Sequence, residues 1–219
     1  MTLPPDPTLD ELRAALAPLV ARNAAFDGWN ATAIANAASS IGIDPATARL
    51  AFPGGATDMI DAWFAHVDAA MAASFAPGAL AAMKIRQRIT ALVESRLTIL
   101  APDREALRRA QAILALPTNL PLTTRLGWRA ADAMWRLAGD TATDFNHYSK
   151  RTLLGGIYAA TLLVFVNDES EGWSDTRAFL ARRIEDVMRI EKAKARFTGA
   201  GDRHFSLSRF IGRLRYPAV

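Results

Sequence analysis

In GDTATDFNHYSKR, residues 139–151, His147 follows Asp144 by three positions, the spacing at which two side chains share one face of a helix. An imidazole beside a carboxylate can ligate a metal or pass a proton. The competing reading is structural: Thr143 caps the helix, Asp144 sits in its first turn at the positive end of the dipole, and His147 is partly exposed. The structural reading prevails, because no Glu-x-x-His pair, no H-E-x-x-H and no third ligand accompanies the two. His66 stands two positions before Asp68, which points them apart on a helix, and His204 falls in a flexible link. With 0 Cys there is no thiolate nucleophile, no Cys-based metal site and no disulfide. The glycines at 54–55, 155–156 and 199–201 match no phosphate-cradling loop, and Ser174, Ser206 and Ser208 sit in no nucleophile elbow. The expectation is a protein without catalytic residues, metal or cofactor.

The elements around these residues read as helix throughout. Ala, Leu and Arg dominate, and strand-like alternation is nearly absent. Thr8 with Glu11 forms a capping box for a helix to about Asn23. Asn30 or Thr32 caps a second that ends at Gly42, and Asp44 with Pro45 starts a third that the PGG at 53–55 stops. A fourth follows Thr57, with Met59, Ile60, Trp63, Phe64, Val67, Met71 and Phe75 on its apolar face. Further helices are predicted at about 82–100, 103–116 with Asp103 as cap, 119–138, 143–167 and 174–197. Across 119–138 one stripe holds Leu126, Ala130, Ala133 and Leu137 while Trp128 and Trp135 make another, so both faces need cover. The run LLGGIYAATLLVFV at 153–166 has 14 residues, short of the roughly 20 that span a bilayer. It is apolar nearly all round and is expected at the centre or in a dimer interface.

The predicted architecture is all-α in three parts. Residues 1–55 form a three-helix head with the rhythm of a helix-turn-helix, residues 56–197 form a larger domain of about six helices, and residues 198–219 form a link and an amphipathic helix. Head plus long following helix resembles the plan of TetR repressors. A DNA reader neutralises phosphates with Lys and Arg. Residues 1–64 carry only Arg13, Arg22 and Arg49 against seven Asp/Glu, and Arg49 is the only base on the recognition-helix candidate. The head is therefore read as structural and no nucleic-acid partner is expected.

Positive charge lies at the other end. The whole chain is formally +4, yet residues 177–219 hold 11 Lys/Arg against 4 Asp/Glu. In FSLSRFIGRLR, residues 205–215, Leu207, Phe210, Ile211 and Leu214 follow helical spacing with Phe205 ahead of them and Arg209 and Arg213 alongside. Hydrophobic gain and ordering cost nearly cancel for so short a segment, so attraction of the arginines to anionic lipid decides whether it binds. The bland alternative is packing on its own domain or on a dimer mate.

Two surface readings remain. Met134, Trp135, Phe145 and Tyr148 gather at a polar turn with Asp132, Asp140 and Asn146, a composition shared by core packing and by protein-binding hot spots. Trp63, Trp128, Ile157, Thr161 and Phe165 are nominated as lining for a lipid pocket because they fall on central helices.

The block DAMWRLAGDTATDFNHYSKRTLLGGIYAATLLVFVNDES, residues 132–170, resembles the ubiquinone-biosynthesis accessory proteins of TetR-like fold, the ninth coenzyme Q protein family. FPGG at 52–55, KIRQRI at 84–89, LALPTNLP at 114–121 and TRAFLARRIEDV at 176–187 extend the resemblance over roughly residues 8–196. It implies a bacterial-type, non-enzymatic, dimeric protein that binds isoprenoid quinone precursors or other lipid among its later helices. It also implies assistance to a ring hydroxylase of the ubiquinone pathway and a seat on the membrane through the C-terminal helix. The hydroxylase contact falls on Asp132, Met134, Trp135, Asn146, His147 and Tyr148. Mitochondrial members tend to carry Trp where His147 stands, and their tails are much longer. With no targeting segment, the expected location is cytoplasmic, peripheral on the inner face of the cytoplasmic membrane. The alternative is a ligand-responsive transcriptional regulator of the same fold.

Overall fold

Local chemistry sets most helix ends in the computed structural model, which describes residues 4, 6–141 and 145–199. Helix α1 (Leu9–Asp27) begins at the full Thr8/Glu11 capping box and stops at Gly28, whose φ of 82° suits glycine. It outruns the expected end by four residues, of which Ala24 is buried in the core. Asn30 caps α2 (Ala31–Ser40) by accepting from Thr32 and Ala33, and Asp44 caps α3 (Pro45–Leu50) by accepting from Thr47.

Helix α4 (Ala56–Ala73) differs from expectation at its start. Gly55 occupies the cap position, and Asp58 reaches back to accept from the amide of Gly54 at 2.6 Å. Its apolar face is buried as expected through Met59, Ile60, Trp63, Phe64, Val67 and Met71, whereas Phe75 falls beyond the helix end and is half-buried. Next come α5 (Ile85–Leu100) and α6 (Arg104–Leu114), joined by a 3-10 turn at 101–103. Asp103 stands at the cap position of α6 but its side chain makes no capping bond, because the chain enters the helix through that turn. Helices α7 (Leu120–Leu137), α8 (Phe145–Phe165) and α9 (Ser174–Gly199) complete the described chain, which is all-helical. Thr143 and Asp144 lie outside the described residues.

The chain divides into one compact unit up to Leu180 and a second from Ala181. In the first, head and body are stitched by buried groups. The Trp29 indole N–H donates to the Ala106 carbonyl at 3.0 Å and its ring meets Trp63 at 5.4 Å. Arg13 donates to the carbonyls of Ala51 and Asp58, both at 2.9 Å. In the second unit, Arg183 pairs with Asp186 and Arg189 with Glu185 along α9.

Helices α7 and α8 lie side by side, close enough that a Cβ on Gly155 would come within 3.4 Å of the Gly127 carbonyl oxygen. The buried stripe of α7 is Leu126, Ala130, Ala131 and Met134. Ala133 and Leu137 are only half-buried, a correction to the expected stripe that follows from α8 covering the adjoining face. Among the described residues helix α8 is not enclosed on all sides. It buries Arg151, Leu154, Tyr158, Thr161, Leu162 and Phe165, whereas Leu153 and Leu163 remain 42% and 60% exposed.

The last carbonyls of α8 are satisfied from α6. Arg104 donates to the carbonyls of Phe165 at 2.7 Å and Asp168 at 2.6 Å, and Arg108 to that of Val166 at 2.6 Å. Cationic donors at a helix C-terminus answer both its orphan acceptors and its negative dipole end. Asp168 then accepts from the amides of Ser170 at 2.9 Å and Thr176 at 2.8 Å, and from both hydroxyls, which joins this end to the start of α9. Among the described residues no helix is long and apolar enough to cross a membrane.

Candidate functional site

The corner between α7 and α8 combines a buried ionic base with half-buried rings and one exposed ring, Tyr148. Arg151 is 2% exposed; its Nε donates to Asp132 at 2.7 Å and its Nη1 to Asp140 and to the His147 carbonyl, each at 3.1 Å. Lys150 donates to Asp140 at 2.8 Å and lies over the Trp135 ring, while the Trp135 indole donates to the Lys150 carbonyl at 3.1 Å. Burial opposes the charge on Asp140, yet Lys150 and Arg151 hold it below the ordinary carboxylate range. Arg88 secures the end of α7 by donating to the Ala138 carbonyl at 2.7 Å.

Three rings sit on this base. Tyr148 and His147 meet edge-on at 5.1 Å, and Trp128 lies 5.9 Å from Tyr148 and 6.2 Å from His147. Tyr148 is 60% exposed. A rigid aromatic surface over satisfied charges suits protein contact, because rings bury large area at little entropic cost.

Of the residues nominated for a partner, Asp132, Trp135, His147 and Tyr148 belong to this corner, and Asn146 occupies the first turn of α8. Met134 is fully buried and presents no surface, because it falls on the stripe that α7 turns inward. Trp128, expected to line a lipid pocket, has its ring beside those of His147 and Tyr148. Arg151 and Lys150 escaped sequence reasoning. The signal for them was a basic pair opening an otherwise uncharged helix, eighteen to nineteen positions after Asp132.

The remaining pocket nominees have separate neighbours. Trp63 packs between Trp29 and Phe64. Phe165 is enclosed by Trp173 at 5.3 Å and Arg104 at 5.1 Å. The buried Thr161 hydroxyl donates to the Ile157 carbonyl at 2.7 Å. A groove of about 400 Å³ between the start of α4 and residues 118–125 is lined by Thr57, Asp58, Asn119, Leu122 and Arg125, none of them nominated. The membrane-binding nominees Phe205, Leu207, Arg209, Phe210, Ile211, Arg213 and Leu214 lie outside the described residues.

A second ionic row runs between α4, α5 and α7. Asp68 accepts from Arg96 and, at 2.8 Å, from Arg129; Asp61 accepts from Arg129 and, at 3.0 Å, from Arg125. Asp68 is thus engaged away from His66. Burial lowers the His66 pKa against the pull of Asp103, and burial raises Asp103 against Arg22 and His66. Among the described residues no group of three or more His, Asp or Glu is disposed to hold a metal ion.

Residues 120–191 match the COQ9 family model. The chain is 36% identical over 182 residues to the ubiquinone biosynthesis protein COQ9, mitochondrial, of Rattus norvegicus, covering 80% of this chain and 58% of that one. With the Homo sapiens protein of the same description the identity is 33%, over 80% and 57% respectively. The chain therefore spans a little over half the length of these relatives. Among solved structures, a TetR transcriptional regulator from Nitrosomonas europaea aligns with a TM-score of 0.62 at 24% identity, covering 80% of this chain and 96% of that one. That likeness identifies the fold as TetR-like.

Proposed function

The chain belongs to the COQ9 family, and from that premise we propose that it serves ubiquinone biosynthesis as a lipid-binding accessory protein rather than as a catalyst. In this reading it holds an isoprenoid or quinone lipid among its later helices and presents it to a ring hydroxylase that docks on Trp128, Trp135, His147 and Tyr148. The observation that carries the reading is the α7–α8 corner: exposed Tyr148 packed with half-buried Trp128 and His147 beside the buried Arg151 pairs, inside the segment that matches the family. Hot-spot surfaces have this build, with aromatic anchors held in one geometry before the partner arrives.

The basic, amphipathic residues 205–215 attach the protein reversibly to anionic membrane. Leu153 and Leu163, exposed on an α8 that carries no charge from Thr152 to Asn167, support a homodimer through that helix. Mass spectrometry of lipid extracted from the purified protein tests the central claim. Prenylated quinone or precursor is the expected finding, and a protein free of lipid overturns it.

The fold likeness favours a regulator as the second reading, and charge opposes it. Exposed α3 offers Asp44, Thr47, Arg49 and Leu50 to a duplex, and Arg13 is committed to carbonyls within the head. Salt-sensitive retention of operator DNA in a gel shift, with residues 202–219 removed, would restore that reading.

A further inference from the structure

Between α4 and α5 the chain crosses the surface on residues 75–83, FAPGALAAM, a stretch with no polar side chain. Leu80 is its buried anchor, whereas residues 76–79 and 81–83 are exposed, with Met83 at 37% and the following Ile85 at 41%. Surface turns commonly carry Ser, Asn or Asp, whose side chains bond the backbone. Here the backbone is satisfied without them. The carbonyls of Ala76, Gly78 and Leu80 accept from the amides of Ala79, Ala81 and Met83 at 3.0, 2.9 and 3.1 Å. Arg88 donates to the carbonyls of Ala81 at 2.8 Å and Met83 at 2.9 Å. An apolar segment whose carbonyls are bonded internally can leave water at little cost.

Charge selects where it goes. Residues 69–93 carry Lys84, Arg86 and Arg88 and no acid. Arg88 is engaged by carbonyls, among them that of Ala138 at the end of α7, whereas Lys84 and Arg86 are exposed. The acids on either side are occupied: Asp68 with Arg96 and Arg129, Asp132 with Arg136 and Arg151, and Asp140 with Lys150 and Arg151. Glu94 follows Arg86 by eight positions, about 12 Å along α5. A protein hot spot presents large rings and hydrogen-bonding groups. Small and aliphatic side chains edged by exposed cations suit an anionic lipid surface, which attracts the cations and takes up the apolar groups.

We propose that residues 75–86 form a second membrane contact, in which Met83 and Ile85 enter the headgroup layer of an anionic bilayer and Lys84 and Arg86 meet its phosphates. The contact rests on the membrane-association reading above and adds orientation to it. Arg88 ties this segment to the end of α7, so the α7–α8 corner stands beside the lipid surface. Two apolar side chains do not hold a protein on a bilayer by themselves, so the contact forms once residues 205–215 have brought the chain there.

The chain has 0 Cys, so a cysteine introduced at one position carries a polarity-sensitive dye at that position alone. The test labels Met83→Cys and, as control, Thr98→Cys in the full-length chain; Thr98 is exposed and about 20 Å along α5 from Ile85. On vesicles of equal parts phosphatidylcholine and phosphatidylglycerol the dye at 83 should brighten and shift to the blue, and on phosphatidylcholine alone it should not. The dye at 98 should stay in water on both. Lys84→Gln with Arg86→Gln should lower partition to the mixed vesicles at least about tenfold, since one cation near an anionic surface is worth about fivefold, without lowering the melting temperature. Protein that floats with the dye at 83 still in water, or a double variant that partitions like the parent, overturns the contact and leaves attachment through the tail standing. A dye indifferent to vesicles but shielded by the hydroxylase, or by raised protein concentration, also overturns it and assigns the surface to a protein partner or a second copy. A chain that does not float with the mixed vesicles at all removes both readings.

Discussion

Arg151 on α8 and Asp132 on α7 meet at 2.7 Å across nineteen positions of sequence, and the arginine is 2% exposed. One buried cation thereby ties α7 to α8. Every ring of the candidate docking surface is carried by one of these helices.

Removing that cation should be costly. Arg151→Met leaves Asp132 with Arg136 and Asp140 with Lys150 as their remaining ion pairs and should destabilise the protein by about 3 kcal/mol, the low end of the range for breaking one side of a buried pair. Lys150→Ala, at the more exposed end of the cluster, should cost within about 1 kcal/mol. Guanidinium denaturation of both variants measures the contrast; equal losses would mean that burial does not set the value of these pairs.

The rings should matter for partners and little for folding. Tyr148→Ala should weaken co-purification with the ring hydroxylase at least about tenfold, as hot-spot truncations do, while shifting stability by about 0.5 kcal/mol at most. Unchanged hydroxylase capture would remove the α7–α8 corner from consideration as the docking surface.

Acid should act through Asp168. Burial opposes its charge, but donors from Ser170 and Thr176 outweigh burial and hold the carboxyl well below the ordinary range. A depressed carboxyl contributes stability that is complete above its unfolded value of about 3.9 and is lost as pH falls toward its folded value. Asp168→Asn should therefore lose on the order of 1–3 kcal/mol at pH 7 and show a shallower acid slope. Denaturant midpoints at pH 7 and pH 3 decide it; an equally steep slope in the variant would assign the acid limb to other groups.

Deleting residues 202–219 should abolish flotation with liposomes containing anionic lipid, and raising salt should do the same to the intact chain. Circular dichroism should show the remaining helices in place. Flotation that survives both treatments would refute membrane attachment through the tail.

How much could be read without coordinates depended on whether the cause was local. Thr8 with Glu11, Asn30, and Asp44 with Pro45 mark helix starts because a cap is an interaction within four residues. The apolar face of α4 was equally legible, since its period is written along one helix. Asp103 misled because the turn before it, not its own type, decides how the chain enters α6. Met134 misled because periodicity leaves open which of two faces of α7 turns inward, and contact with α8 settles that.

The primary structure alone thus determined an all-helical chain, most of its boundaries, a head poor in cations and a tail rich in them, because propensity, capping and charge are properties of short stretches. Tertiary structure decided which charges pair. Arg96 with Asp68, Arg129 with Asp61 and Arg151 with Asp132 and Asp140 pair residues 11 to 68 positions apart, and the burial that sets Arg96 and Arg151 apart from arginines left in water is written in no short stretch. It also decided that the Arg96 guanidinium on α5 lies over the Tyr158 ring on α8, since packing of the two helices brings together residues that no local pattern links.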